Sequence, residues 1–154
     1  MEVKEQANLR FFGVDIINVK YNAMKFNEGK EPIIVDTESG IYYPKEAPNE
    51  FKILLKIKLT LKDVFDLEVS GVGNFALSEV VKQEDRPKYI NANAVAIMFP
   101  FMRSFISTFS LNCGNILGNI IIPVQFFQGE LKEITAEEIQ PIEGKQEMIF
   151  EDKN

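Results

Sequence analysis

The stretch Phe51-Lys52-Ile53-Leu54-Leu55-Lys56-Ile57-Lys58-Leu59-Thr60-Leu61-Lys62 decides the fold. Every odd position is apolar, and four of the six even positions are lysine. Side chains alternate across a strand, so this pattern sends one row into a core and leaves the lysines on a wetter face. Just downstream, Phe65, Leu67, Val69 and Phe75 share one parity while Asp66, Glu68 and Ser70 take the other. Two such strands in succession predict a hairpin, and its parity is constrained. Both apolar rows share a face only when paired residue numbers sum to an even value. A connection through Lys62, Asp63 and Val64 meets that condition. It pairs Leu61 with Phe65 and sets Lys58 opposite Glu68 on the outer face. Gly71 and Gly73 fall inside the second strand, where a missing side chain predicts a bend, a bulge or a close backbone approach.

Upstream, a further strand is expected from Leu9 to Asn22. Phe12, Val14 and Ile16 keep one parity, then Val19 and Tyr21 take the other, so a β-bulge is expected near Ile17. Between Lys25 and Asn49, Pro32, Gly40, Pro44 and Pro48 mark a long excursion with a short strand at Ile33–Asp36. Downstream, the charged run Glu84-Asp85-Arg86-Pro87-Lys88 breaks the sheet pattern. The main helix is expected after it, since Met98, Phe101, Met102, Phe105, Ile106 and Phe109 recur at helical spacing. Asn91 or Asn93 suits its start and Gly114 its stop. Pro100 inside the pattern predicts an irregular first turn. A short last helix is expected from Val124. The whole chain, 1–154, is read as one domain with a mobile acidic tail at 135–154. The fold class is α+β: a four-stranded antiparallel sheet with one long and one short helix on one face.

Composition narrows the chemistry. With no histidine and a single cysteine, Cys113, the chain has no Ser-His or Cys-His nucleophile and no thiolate zinc site of its own. A net charge of −6 disfavours nucleic acid as a partner. No run of 18 apolar residues predicts membrane insertion, and the start Met-Glu-Val-Lys-Glu-Gln has no signal-like apolar core, so a cytoplasmic location is expected. The carboxylates at Glu79, Glu84, Asp85, Glu137 and Glu138 read as solvated faces. No catalytic residue, metal or cofactor is expected. The unusual feature is 13 phenylalanines with no tryptophan. Phe99, Phe101, Phe105, Phe109, Phe126 and Phe127 gather around one helix and the segment after it. That is more apolar surface than a small sheet covers, which implies self-association or a polypeptide-binding groove.

Three segments carry a family resemblance. Ile97-Met98-Phe99-Pro100-Phe101-Met102-Arg103-Ser104-Phe105-Ile106-Ser107 resembles the helix signature of the SecB protein-export chaperones. Ile122-Pro123-Val124-Gln125-Phe126 is similar to that family's Ala-Pro-Val-Asn-Phe segment, and Phe65-Asp66-Leu67-Glu68-Val69, followed by glycines and Phe75, matches its hairpin. The similarity runs over about residues 9–130. It implies an ATP-independent holdase that binds unfolded polypeptides or preproteins and assembles as a dimer of dimers. Helix residues Met98, Phe101, Met102, Phe105 and Phe109 would lie at the oligomer interface. Clients would lie between the sheet and the connector Asn115–Val124, lined by Leu117, Ile120, Ile121, Val124, Phe126 and Phe127. The family's docking to the SecA motor maps onto Glu68, with Asp66 beside it at a place usually apolar, while Asn18 and Asn22 stand where family carboxylates are expected. That departure favours a diverged SecB-like chaperone serving a particular client, such as an antitoxin. A non-chaperone oligomeric scaffold is the other alternative.

Overall fold

The computed structural model describes residues 8–29, 31–123 and 131–141. At its centre is the hairpin of β3 (Glu50–Leu61) and β4 (Phe65–Leu77). Leu61 pairs with Phe65 and Lys58 with Glu68, as the parity rule requires. The odd row of β3, Phe51 to Leu61, is almost wholly buried, and so are Phe65, Leu67, Val69 and Phe75 opposite it. The tight turn is closed by the Val64 N–H donating to Leu61 O at 2.9 Å. Asp63 takes a φ of 62° there, the left-handed region that Asp tolerates better than most side chains.

Strand β1 (Leu9–Ala23) pairs antiparallel with β4, and β2 (Ile34–Tyr42) pairs antiparallel with β3. The bulge expected near Ile17 is present: Ile16 pairs with Gly71 and Asn18 with Ser70, leaving Ile17 as the extra residue. A second irregularity lies between Phe11 and Val14, where Gly13 has a φ of 106°. It reverses the parity of the residues before it. Phe11, not Phe12, therefore turns to the core, and Phe12 is 61% exposed. Strand β2 is longer than the expected Ile33–Asp36. Its polar middle, Asp36 to Gly40, reads as loop in isolation. In the sheet it lies beside lysine-rich β3, with Asp36 opposite Lys58 and Glu38 opposite Lys56.

A fifth, two-residue strand, β5 (Lys132–Glu133), runs parallel to β2. The sheet order is β1-β4-β3-β2-β5, four antiparallel strands with one short parallel addition. After β5, a 3-10 turn at Ala136–Ile139 is closed by a capping box in which Thr135 and Glu138 exchange side chain to backbone bonds. Residues 131–141 form a strap. Residues 142–154 and the expected helix from Val124 lie outside the described residues.

The principal helix starts earlier than its apolar pattern suggests. A 3-10 turn (Gln83–Asp85) leads into α1 (Arg86–Tyr89), with Pro87 in the first turn where its missing N–H costs nothing. The run Glu84 to Lys88 is thus the helix entry, with acidic side chains at the positive end of the dipole. A π-helical stretch (Ile90–Ala94) follows, then α2 (Val95–Asn112). Asn91 and Asn93 sit in the π stretch and cap nothing. The irregularity expected at the first turn lies in that stretch, which ends at Ala94, while Pro100 sits inside α2. Gly114, φ 88°, follows the end of α2 as expected.

The helix rests on the two glycines of β4. A Cβ on Gly73 would stand 2.8 Å from Met98 Sδ, and one on Gly71 would collide with Met102 Sδ. Close approach is therefore the reason for both glycines, and Met98 and Met102 fill the depressions they leave. A ladder of rings extends this core: Phe51 stacks on Phe75 at 5.1 Å, Phe75 meets Phe11 at 5.1 Å, and Phe11 meets Phe101 at 5.0 Å.

Candidate functional site

The connector after α2 turns back along the helix that precedes it. Ser110, wholly buried on α2, donates through Oγ to Ser107 O at 3.0 Å and accepts the Ile120 N–H at 2.9 Å. Ser107 Oγ donates to Asn119 Oδ1 at 2.9 Å. From the other side, Asn27 Nδ2 donates to Ile116 O at 3.3 Å. Gly118, φ 64°, lets the chain reverse between these clamps. With few backbone partners of its own, the segment is held by side chains.

That tethering decides which apolar groups are presented. Leu117, Ile120 and Ile122 are buried in the core, whereas Ile121 points away from it and is 61% exposed. Of the six groove residues expected from sequence, Leu117 and Ile120 therefore support the connector and Ile121 is its outward apolar group. Val124, Phe126 and Phe127 lie outside the described residues. Nearby, on the segment that holds Ile116, Phe26 is 81% exposed.

The helix divides its expected interface residues in the same way. Met98 and Met102 are wholly buried against β4 of their own chain. Phe105 and Phe109 stack at 5.9 Å and are half-buried, with Phe109 edge-on to Tyr21 at 6.1 Å. Burial raises the Tyr21 phenol above its ordinary pKa, and the nearby Cys113 adds to the rise. Phe101 is 52% exposed. Ile97 and Leu111, absent from the sequence-derived set, are exposed too. Ile97, Phe101, Ser104, Thr108 and Leu111 alternate steps of four and three, the seam spacing of a helix that packs along another helix. The signal was in the sequence, masked by the stronger stripe of Met98, Met102 and Ile106.

On the outer face, Asp66 is exposed. Glu68 is engaged: Asn18 Nδ2 donates to its Oε2 at 3.0 Å, and Lys58 Nζ stands 3.6 Å from its Oε1. Asn18, at a position where a carboxylate was expected, thus serves as a ligand to Glu68. Beside this pair, the strap and the sheet enclose a cleft of about 560 Å³ floored by Leu54, Ser70 and Glu68. Among the described residues no three His, Cys, Asp or Glu side chains gather, and no helix is long and apolar enough to cross a membrane.

No family model matches the chain. The uncharacterized protein MJ0357 of Methanocaldococcus jannaschii is 29% identical over 131 residues, covering 80% of this chain and 83% of that protein. Among solved structures, the Rv1957 SecB-like chaperone of Mycobacterium tuberculosis, in complex with a ChAD peptide from the Rv1956 HigA1 antitoxin, matches with a TM-score of 0.63. The match spans 79% of this chain and 90% of that one at 9% identity. The fold is SecB-like. At this identity the likeness lies in the path of the backbone, an antiparallel sheet carrying one principal helix, and individual side-chain roles rest on the geometry above.

Proposed function

We propose that this protein is an ATP-independent chaperone that holds a polypeptide client, with the specificity of a dedicated partner more than a general holdase. The observation that carries the reading is the SecB-like fold, shared with a chaperone whose structure holds an antitoxin peptide. The connector supports it with an apolar group, Ile121, that the core does not use. Burial of such groups is non-directional, worth roughly 25 cal/mol per Å², and needs neither nucleotide nor metal. The client engages the connector through Ile121, and Val124, Phe126 and Phe127 are assigned to client binding from the sequence resemblance. Assembly uses the uncharged seam of α2, Ile97, Phe101, Ser104, Thr108 and Leu111. Two copies related by a two-fold axis at Ser104 would bring each Ile97 to the partner copy's Leu111. A cytoplasmic location belongs to this reading. Delivery to SecA would fall to Asp66, because the Glu68 carboxylate is held by Asn18 and Lys58.

The test is fluorescence-detected binding of a reduced, unfolded client and of antitoxin-derived peptides, with a folded client as control. Selective binding to unfolded chains that falls at least tenfold in Ile121→Asp is expected, with the melting temperature unchanged because Ile121 is outside the core. Binding that ignores Ile121→Asp moves the client site elsewhere. Absence of binding to any unfolded chain or peptide sinks the chaperone reading in favour of an oligomeric scaffold.

A further inference from the structure

The outer face of the sheet carries one apolar row among polar ones. Strand pairing sets Gly40 beside Leu54, and Leu54 beside Val72, across β2, β3 and β4. The neighbouring rows are polar, with Lys52 beside Asn74 on one side and Lys56 beside Ser70 on the other. Val72 is 3% exposed although it faces away from the helix, and Leu54 is half-buried. Neither Val72 nor the buried Ile139 of the strap belongs to the connected core of the inner face. A second, small apolar layer therefore exists on this side of the sheet.

The strap completes that row. Gly40 leaves a notch, where a Cβ would stand 2.5 Å from Ile134 Cγ2 and 3.0 Å from its Cδ1, so the strap's isoleucine fills the space beside Leu54. Backbone bonding holds the same point: Lys132 and Glu133 pair with Gly40 and Ile41, and the Ile134 N–H donates to Ile41 O at 2.8 Å. Five residues on, Ile139 is the second anchor. Between them the capping box of Thr135 and Glu138 closes a single turn, so both isoleucines are carried on one small rigid piece. Its hold on the sheet is slight. Two residue pairs tie it to β2, against nine between β2 and β3. Among the described residues both ion pairs, Lys56 with Glu38 and Lys58 with Glu68, lie within the sheet and include no strap residue. Across the cleft of about 560 Å³, Glu137 and Glu138 of the strap meet Glu38 and Glu68 as well as Lys20 and Lys56, so charge does not tie the strap down.

We infer that residues 131–141 are a latch in cis, which opens and recloses as one unit over the folded sheet and, when closed, covers the apolar row Leu54–Val72. The latch turns on the notch. Ile134 in the notch and Ile139 on the same turn leave together, because the capping box joins them and nothing else of comparable strength holds either one. Opening costs the strap's own contacts and leaves the β3–β4 hairpin and the helix seat intact, since neither isoleucine is part of the inner core. The device is on the opposite face of the sheet from the connector and does not depend on client binding there.

The experiment is native-state amide exchange on the full chain, followed residue by residue at low urea. In the wild type the amides of Ile134, Glu138 and Gln140, which donate to Ile41 O, Thr135 O and Glu137 O, should exchange together. They should do so at least tenfold faster than the β3–β4 ladder and with almost no dependence on urea, the mark of an opening that exposes little surface. Ile139→Ser should speed the Ile134 amide at least tenfold, and Ile134→Asp should speed those of Glu138 and Gln140 by a similar factor. Gly40→Val evicts Ile134 from the sheet side. It should release both halves of the strap and leave β3–β4 exchange unchanged, because valine suits a strand. In each variant the fluorescence of anilinonaphthalene sulfonate, a dye that binds exposed apolar surface, should rise severalfold as Leu54 and Val72 are uncovered. Acceleration confined to the half that carries the substitution overturns the inference, since the strap would then be two separate attachments. So do strap amides that exchange only when the sheet unfolds, and dye binding that stays at the wild-type level in all three variants. Should a variant fail to fold, the urea dependence of the wild-type strap amides decides alone.

Discussion

The two faces of this sheet are closed by different means. The inner face is packed: an unbroken apolar row on β3, its counterpart on β4, and a helix lowered onto two glycines so that Met98 and Met102 reach the backbone. The outer face is latched. Lysines and carboxylates pair across it, and an eleven-residue strap is tied down at one glycine notch and one buried isoleucine. A packed face loses stability with every atom removed. A latched face can open without unfolding what lies beneath, because few of its contacts are shared with the core.

The largest effects should come from the helix seat. Met102→Ala removes a wholly buried side chain over Gly71 and should cost about 2–5 kcal/mol in urea unfolding. Gly71→Ala should also destabilise, by about 1–3 kcal/mol, because its Cβ meets Met102 Sδ. The two together should cost less than their sum, by about 0.5–3 kcal/mol, since the alanine methyl occupies space the methionine has left. Strict additivity would mean that the glycine is there for backbone conformation and not for helix approach.

Ser110 tests whether the connector belongs with the packed face. Its hydroxyl accepts the buried Ile120 N–H, and Ser110→Ala leaves that donor unpaired. A loss of about 1–3 kcal/mol is expected. Faster amide exchange should be confined to residues 115–122, with the strap unaffected. Exchange that rises equally in residues 131–141 would couple the two faces and break the distinction drawn here.

The packed face was legible in the sequence, and the latched face largely was not. Period-two patterning named the buried rows of β3 and β4, parity alone set the hairpin register, and the change of parity at Ile17 located a bulge. These follow from burial, which leaves a strong periodic mark. Strand β2 was underestimated because Asp36 and Glu38 take their strand character from lysines across the ladder, a partner that local propensity does not see. The helix begins before the expected Asn91 or Asn93, because Glu84 to Lys88 reads as the end of the sheet pattern although Pro87 also suits a first helical turn. For the strap, the one local sign was Thr135 three residues before Glu138, a capping box. Nothing near Ile134 in the sequence announces that its seat is a glycine almost a hundred residues upstream. Among the site residues, helical spacing found the apolar stripe of α2 but did not separate Met102, which is buried, from Phe101, which is half-exposed.

The smallest effects should come from the outer-face ion pairs, and their ranking tells how far the strap shelters that face. Lys58 and Glu68 stand 3.6 Å apart with the glutamate side chain 19% exposed, and Asn18 adds a hydrogen bond to it. Lys56 and Glu38 are 3.7 Å apart, but that glutamate side chain is 65% exposed. Glu68→Gln should therefore cost more, about 0.5–1 kcal/mol, than Glu38→Gln, at about 0–0.5 kcal/mol. In 0.5 M salt the Glu38 effect should vanish while part of the Glu68 effect persists, because solvent ions screen the exposed pair more fully. Releasing the strap with Ile134→Asp should shrink the Glu68 effect toward that of Glu38, since the cleft floored by Glu68 would then open to water. If the two glutamates already respond alike in the closed protein, the cleft is wet, and the strap is a tether that does not seal the surface beneath it.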